Sequence, residues 1–343
     1  MLIIFGIITF NVAVLTAESR LLDGKLDAAS NRGLDYIAQY IDDHGKFSAP
    51  YVIEKDLCHY YMLPWILFSG GKLREADLVL DFIKINFMQP DGDFRTSQAI
   101  KACHPFYSHH YTYANIFIAR GAIIMERYDV LAPALKYLQQ YNKKFPTEGP
   151  PSDGHTITSM DAASRYGILA LHTGGMKTAK RAAKLIMRFI ELQPNTDDGF
   201  YYQMNNNQLI TEFSANESFR FVVSRTAPYQ AFMVISDSAE FLAKLSIHKG
   251  FESYMKPAKE LISWLSTCDD SLYSTFGAVK VGIATSWVGA LSGDSDAKDI
   301  AARIAPYLLS LQNDDGSFSD AIIPGSSSEY PYSMQIIDAL ASV

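Results

Sequence analysis

A short turn recurs along this chain, and its spacing constrains the fold more than any other feature. In each copy an acidic or polar pair precedes a glycine, and a phenylalanine follows that glycine within two residues. The four clear copies occupy residues 42–47, 89–94, 193–200 and 312–318. Weaker copies at 152–154 and 268–270 fill the gaps, so that successive turns lie about 40 to 70 residues apart. This periodicity predicts a repeat architecture.

Two kinds of helical segment alternate around these turns. Segments with one apolar and one charged face precede the turns, at 29–40, 73–87, 131–141, 179–192, 255–265 and 297–311. Segments rich in aromatic and small residues follow the turns, at 57–68, 111–125, 159–171, 229–245, 278–291 and 332–341. A helix that is apolar nearly all round has to be buried. We therefore predict an all-α fold, an (α/α)6 toroid of six helix pairs with the aromatic helices inside.

The residue types of the turn can be explained by the backbone conformation and contacts that each provides. Glycine adopts the left-handed conformation that often ends a helix, and it does so without steric cost. An aspartate before it can accept backbone hydrogen bonds. We expect the phenylalanine to fold back over the helix pair. Apart from the helices, residues 199–210 read as a short strand hairpin around Asn206.

The Gln…Asp-Gly-x-Phe turns resemble the Gln-Trp repeats of the terpenoid cyclase and protein prenyltransferase superfamily, with phenylalanine in place of tryptophan. The resemblance covers most of the chain after residue 17 and implies an α/α toroid. The functional motifs of the superfamily do not occur in this chain. The chain has no Asp-x-Asp-Asp or Asp-Asp-x-x-Asp motif, and the zinc ligands of the prenyltransferases have no assignable counterpart. The resemblance therefore implies a fold without indicating one member.

Residues 1–17 are predicted to be a signal peptide. They contain an uncharged apolar stretch at 2–15, too short to span a bilayer comfortably, and end on the small residue Ala17. Residues 18–343 then form a single toroid domain. We expect a secreted or lumenal protein with no stable membrane span after cleavage. Asn216-Glu217-Ser218 is a glycosylation sequon, which makes a glycoprotein possible.

Composition and missing motifs exclude several classes of protein. The net charge is -7 and no basic stripe dominates, which argues against a nucleic-acid partner. No Walker loop, Gly-x-Gly-x-x-Gly, His-Glu-x-x-His, Gly-x-Ser-x-Gly or Cys-x-x-Cys motif occurs. We therefore expect no cofactor, and a small molecule as the partner. The three cysteines leave at least one thiol unpaired within a monomer. The sequence leaves open both their pairing and the oligomeric state.

Polar residues gather at the starts of the predicted inner helices, where we expect one mouth of a central funnel. The first cluster runs from Asp56 to Tyr61. Cys58 could act there as a nucleophile or proton donor, and His59 or Tyr60 as an acid or base. The alternative is a helix start capped by Asp56 with aromatic residues that pack the ring.

A second cluster, at 103–113, holds three of the eight histidines. One of them could transfer protons near neutral pH. His109 and His110 are adjacent, so both cannot readily bind one ion, and we predict no metal site. In a third cluster Asp161 and Arg165 are four residues apart and can pair on one helix face, either to orient a substrate or only to satisfy each other.

The candidate site residues follow from these clusters and from cations and aromatic rings on the inner helices. The candidate catalytic residues are Cys58, His59, Tyr60, His110 and Asp161. The candidate substrate-binding residues are Trp65, His109, Tyr113, Arg165, Tyr166, Arg225, Tyr229, Lys280, Trp287 and Tyr332.

Three functions fit this sequence. We favour a secreted, cofactor-independent cyclase, isomerase or lyase that uses acid–base chemistry on a small, largely apolar molecule in an aromatic funnel. Aromatic faces could stabilise a developing cation there. The second hypothesis is a polysaccharide lyase or glycoside hydrolase acting on an acidic glycan; hydrolysis would need two carboxylates across the bond. The third is a non-catalytic ligand-binding protein.

Overall fold

The computed structural model describes residues 17–50, 52–53, 55–103, 107, 110–141, 157–275 and 277–318. The predicted signal peptide up to residue 16, the weak turn at 152–154 and the predicted last helix at 332–341 lie outside these residues. Among the described residues, no helix combines the length and apolarity that a membrane crossing requires.

The described residues form eleven α-helices. In chain order they are α1 (Ala17–Ala38), α2 (Leu63–Ser69), α3 (Leu73–Asn86), α4 (Tyr113–Ile124), α5 (Tyr128–Gln139), α6 (Met160–His172), α7 (Met176–Leu192), α8 (Phe232–Ser246), α9 (Met255–Leu265), α10 (Ala278–Ser292) and α11 (Ser295–Ser310). The even-numbered helices contact one another in sequence around an inner ring, from α2 through α4, α6 and α8 to α10. Each of them also contacts the odd-numbered helix that follows it.

Burial separates the two rings as the sequence predicts. On α6 every residue from Met160 to Ala170 is buried. On α7 only one face is buried, through small and aliphatic residues and Phe189, while its lysines and arginines lie on the other face. Burial nearly all round is expected of an inner helix and burial of one stripe of an outer helix. The toroid architecture is therefore confirmed.

The described residues also form five short strands beside the helical rings. They are β1 (Ile157–Ser159), β2 (Gly199–Tyr201), β3 (Gln203–Asn205), β4 (Gln208–Leu209) and β5 (Val222–Ser224). The β3–β4 pair is the predicted hairpin, and its turn residues Asn206 and Asn207 have φ of 49° and 64°. β1 pairs antiparallel with β3, and β2 pairs antiparallel with β5. Short 3-10 helices occupy Leu57–His59, Ala215–Arg220, Glu252–Tyr254 and Asp270–Tyr273.

Some predicted boundaries are wrong. The first inner helix does not run through 57–68, because a 3-10 turn at Leu57–His59 comes first and α2 begins only at Leu63, with Pro64 in its first turn. Proline fits the first turn of a helix, where its missing N–H is not needed. The first outer helix begins at Ala17 instead of residue 29.

Three of the repeat turns share one geometry. Gly45, Gly92 and Gly316 have φ of 77°, 90° and 91°, as the left-handed prediction requires. In each turn the phenylalanine two residues later closes a β-bridge to the helix end and is buried. The copy at Gly199 differs, and the left-handed expectation is wrong there. Gly199 belongs to β2, and a Cβ on it would lie 2.8 Å from a carbonyl oxygen of β5.

Gly45, Gly92 and Gly316 also allow each turn to pack directly against an outer helix. A Cβ on Gly45 would lie 2.0 Å from a carbonyl oxygen of α3, and one on Gly92 would lie 2.2 Å from a carbonyl oxygen of α5. The last turn meets the first helix, because a Cβ on Gly316 would lie 2.7 Å from the carbonyl oxygen of Arg32 in α1. The outer ring therefore closes on itself.

Candidate functional site

The first predicted cluster is built around a buried carboxylate, Asp56. Its oxygens accept hydrogen bonds from the Thr96 hydroxyl at 2.8 Å, the Cys103 N–H at 3.2 Å and the Cys58 thiol at 3.0 Å. Burial alone would raise the pKa of Asp56, but these hydrogen bonds outweigh it and hold the pKa below the usual value. Asp56 therefore stays ionised and joins the 3-10 turn to the segment that contains Cys103.

This environment opposes a nucleophilic role for Cys58. Burial raises the pKa of the Cys58 thiol far above its usual value, and the negative charge of Asp56 raises it further. The thiolate is the reactive form of cysteine. At neutral pH Cys58 is thus a thiol that donates to Asp56.

His59 and Tyr60 are also buried. Burial lowers the pKa of His59, and neither ring nitrogen has a hydrogen-bond partner within the described part of the chain. The Tyr60 hydroxyl lies 3.2 Å from both the backbone N–H and the carbonyl oxygen of Phe47, and its ring stacks on Phe82. These contacts hold the first repeat turn, so Tyr60 has a structural role.

The 3-10 turn also contains a possible metal-binding group. Among the described residues, Asp56, Cys58 and His59 are the group whose potential ligand atoms all lie within 4.8 Å of one another. An oxygen, a sulfur and a nitrogen ligand form a donor set that Zn²⁺ accepts. No metal site is predicted from the sequence, and among the described residues these three are the ones that could hold an ion.

An aromatic contact links the first two predicted clusters. The ring of Tyr61 lies 5.8 Å from Tyr107, 5.6 Å from Tyr113 and 5.6 Å from Phe117. Tyr107 and Tyr113 belong to the second, histidine-rich cluster. Residues from the starts of α2 and α4 therefore meet inside the ring, as the funnel hypothesis requires.

Ionisable side chains form what we call the first layer, near the N-terminal ends of the inner helices. It consists of His110, Tyr113, Asp161, Arg165, Asp237 and Lys280. One oxygen of Asp161 lies 2.9 Å from Nη1 of Arg165 and 3.8 Å from Nδ1 of His110. Nζ of Lys280 lies 3.1 Å from a carboxylate oxygen of Asp237. The predicted pairing of Asp161 with Arg165 is confirmed.

Tyr113 joins these two ion-paired groups across the ring. Its ring centre lies 5.0 Å from the guanidinium carbon of Arg165 and 5.0 Å from Nζ of Lys280. Since α6 and α8 separate α4 from α10 along the inner ring, the contact with Lys280 crosses the middle of the toroid. Cations over an aromatic face are attracted to it.

The two carboxylates of the first layer have opposite pKa shifts. Burial raises the pKa of Asp161, but the charges of Arg165 and His110 outweigh burial and hold the pKa well below the usual value. Burial also raises the pKa of Asp237, and there Lys280 compensates only in part, so the pKa stays above the usual value. The layer thus places an ionised carboxylate and a more basic one inside the same ring.

A second layer lies seven residues further along the same helices. Tyr113 is followed by Arg120, Arg165 by His172, Asp237 by Lys244, and Lys280 by Trp287. Seven residues are about two turns, so each pair lies on one helix face about 10 Å apart. We define the second layer as Arg120, His172, Glu240, Lys244 and Trp287, together with Trp65 of α2.

Stacked rings and cations hold the second layer together. The guanidinium carbon of Arg120 lies 4.2 Å from the ring centre of Trp65, which stacks on His172 at 5.4 Å. Nζ of Lys244 lies 4.0 Å from the ring centre of Trp287 and 2.5 Å from a carboxylate oxygen of Glu240. Burial lowers the pKa of His172 to about 3, and the two neighbouring cations contribute.

The remaining candidates are divided between the ring and its outside. Tyr166 is buried on α6. Arg225 lies 3.3 Å from Asp197 of an outer turn, and Tyr229 is 53% exposed with its N–H bonded to Ser271. His109 and Tyr332 lie outside the described residues.

Five residues of the layers are not among the candidates predicted from the sequence, namely Arg120, His172, Asp237, Glu240 and Lys244. Most of the predicted clusters lie at the starts of the inner helices, as Asp161 and Tyr113 do. The repeated spacing of seven between polar or aromatic residues on otherwise apolar helices was a signal that could have found most of them.

No family model and no curated protein sequence matches this chain. Solved structures match over nearly its whole length. A D-mannose isomerase has a TM-score of 0.69 at 10% identity, covering 92% of this chain and 96% of its own. A sugar epimerase from a ruminal bacterium has a TM-score of 0.56 at 12% identity, covering 93% and 98%. A type II terpene cyclase from Scytonema has a TM-score of 0.54 at 10% identity, covering 94% and 98%. At these identities the likeness shows the fold, the α/α toroid.

Proposed function

We propose that this chain is an enzyme that moves protons on a small carbohydrate, as an isomerase or epimerase. The observation that carries the proposal is the pair of buried carboxylates with opposite pKa shifts, Asp161 and Asp237, in one layer. Titratable groups whose pKa values are driven apart within one site are typical of acid–base catalysts.

The contacts of the layer suggest a role for each group. Asp161 stays ionised and orients His110, whose side chain is 26% exposed and therefore accessible to a ligand. His110 would take a proton from the substrate, since imidazole exchanges protons near neutral pH. Asp237, whose pKa burial raises above the usual carboxyl value, is the proposed second proton-transfer group, on the other side of Tyr113. Arg165 and Lys280 keep the two carboxylates in place.

The charge of the layers favours a polar substrate over the largely apolar one expected from the sequence. A hydroxyl-rich ligand can hydrogen-bond to ion-paired side chains, whereas an apolar ligand would remove water from them without compensation. Two structural neighbours, the D-mannose isomerase and the sugar epimerase, act on sugars by name. The structural similarity to the terpene cyclase supports a cyclase function as the alternative.

Hydrogen exchange at carbon tests the proposal without knowledge of the product. The protein is incubated in D₂O with mannose, glucose, N-acetylglucosamine or glucuronate, and proton NMR follows the C2 hydrogen. We expect exchange with at least one sugar. His110→Gln and Asp237→Asn should each slow it about 100-fold or more, the usual contribution of an acid or base. Asp270→Asn is the matched control, because Asp270 is an exposed carboxylate paired with Arg303. No exchange with any of the four sugars, or full exchange in both variants, contradicts the proposal.

Secretion belongs to the same proposal. The apolar stretch at 2–15 supports it, as does Asn216, which is exposed in the 3-10 helix Ala215–Arg220 and accessible to a glycan. Expression in a eukaryotic secretory host should give a chain in the medium whose mass falls on glycosidase treatment. A chain that stays inside the cells at its full mass argues against secretion.

A further inference from the structure

Arg120 is a partly buried cation that has no carboxylate partner among the described residues. Its Nε is buried without a hydrogen-bond acceptor. Glu240 lies within electrostatic reach of Arg120, but the Glu240 carboxylate is already paired with Lys244 at 2.5 Å. A buried charge normally has a partner or binds a ligand.

The aromatic neighbours of Arg120 contact its guanidinium face and do not occupy its hydrogen-bond donors. Its guanidinium carbon lies 4.2 Å from the ring centre of Trp65 and 5.1 Å from that of Phe117. Stacking of this kind uses the face of the guanidinium. The N–H donors lie in its plane, where an oxyanion can accept two of them in parallel.

The charges of the second layer do not balance. Arg120 and Lys244 carry two positive charges and Glu240 carries one negative charge. The pKa of His172, about 3, leaves its ring neutral at physiological pH. One positive charge therefore remains, in a layer that includes Trp287, which is 37% exposed and open to solvent.

We propose that the second layer is a binding site for an oxyanion, with Arg120 as its bidentate donor and Lys244 as a second cation. The ligand is a carboxylate-, phosphate- or sulfate-bearing molecule, and the shared chemistry is a planar or tetrahedral group of negatively charged oxygens. The site lies about two helical turns from the first layer and uses none of its residues. Binding there does not depend on proton transfer by His110 or Asp237, so it stands apart from the proposed enzymatic function.

Tryptophan fluorescence measures binding directly. The chain has three tryptophans, and two of them, Trp65 and Trp287, belong to the second layer. In a Trp264→Phe background both remaining reporters therefore lie at the proposed site. The probes are glucuronate, inorganic phosphate and inorganic sulfate, titrated at constant ionic strength, with glycerol as the uncharged control. We expect a saturable change with at least one oxyanion and none with glycerol, and the oxyanion that saturates first identifies the ligand group.

Variants distinguish oxyanion binding at a specific site from general electrostatic attraction to the protein. Arg120→Gln should weaken binding at least 10-fold, and Arg120→Lys should weaken it several-fold, because lysine keeps the charge but lacks the planar donors. Arg303→Gln is the matched control and should bind like the parent. The Arg303 guanidinium also stacks on a ring, that of Tyr273 at 3.5 Å, but is already paired with Asp270.

Circular dichroism confirms that each variant is folded. If Arg120→Gln does not fold, Lys244→Gln replaces it with the same expectation of weaker binding. The proposal is overturned if no probe gives a saturable change, if glycerol gives the same change, or if binding survives in the folded variant.

Discussion

At the residue scale, Lys101 is a deeply buried charge, with a side chain that is only 1% exposed. Its ammonium lies 2.6 Å from Asp93 and 4.3 Å from the ring centre of Tyr111, and it also donates to Asn115. Asp93 belongs to the second repeat turn, Tyr111 lies two residues before α4, and Asn115 lies in the first turn of α4. Lys101 thus fastens a turn of the outer ring to an inner helix.

This burial gives a pH dependence of stability with a definite sign. Burial lowers the pKa of Lys101 to about 8, although Asp93 opposes the shift, while an unfolded lysine titrates near 10.5. Between these values the unfolded chain binds more protons than the folded one, so the free energy of unfolding rises with pH. Relative to Lys101→Met, the parent should gain about 3 kcal/mol between pH 8 and pH 10.5.

Urea unfolding at pH 7.5, 9 and 10.5 measures this difference. Lys256→Met serves as the control, since Lys256 is on the surface, and its difference from the parent should stay nearly flat. A parallel pH profile for the parent and Lys101→Met would show that the pKa of Lys101 is not lowered.

At the scale of elements, the features that could be predicted from the sequence are those determined by residues close together in the chain. The turns at Gly45, Gly92 and Gly316 follow from glycine and a nearby aspartate or asparagine, and the structure confirms them. The turn at Gly199 differs from these three because its neighbours pair with β5, which comes more than twenty residues later in the chain. Nothing near Gly199 in the sequence indicates that long-range pairing.

In the candidate site, too, contacts within one helix could be predicted and contacts between helices could not. The pairing of Asp161 with Arg165 could be predicted, because both lie on one helix at a spacing of four. The stacking of Arg120 on Trp65 could not, because α4 and α2 meet only after the inner ring has formed. A cation near the C-terminal end of a helix ordinarily complements the helix dipole, so its position alone does not indicate a ligand site.

At the scale of the whole molecule, the toroid depends on contacts between its ends. Gln312 Nε2 donates to the carbonyl oxygen of Ala29 at 2.8 Å, and Nε of Arg32 donates to Gln312 Oε1 at 3.1 Å. Gly316 packs directly on the backbone of Arg32. These contacts join α11 and its turn to α1, almost three hundred residues apart in the chain, and they leave the outer ring without a free end.

The contribution of this closure to stability can be measured with two glycines of similar conformation. Gly316 and Gly293 have φ of 91° and 73°, so alanine is strained at both positions by roughly 1–2 kcal/mol. Around Gly293 no atom lies within 4 Å of an added Cβ, whereas at Gly316 the added Cβ meets the backbone of α1. Gly316→Ala should therefore lower the free energy of unfolding by about 2 kcal/mol more than Gly293→Ala, as expected when overpacking adds to strain. Urea denaturation of the two variants measures the difference. Equal losses would mean that the last turn does not hold the first helix and that the ring is stable without its closing contact.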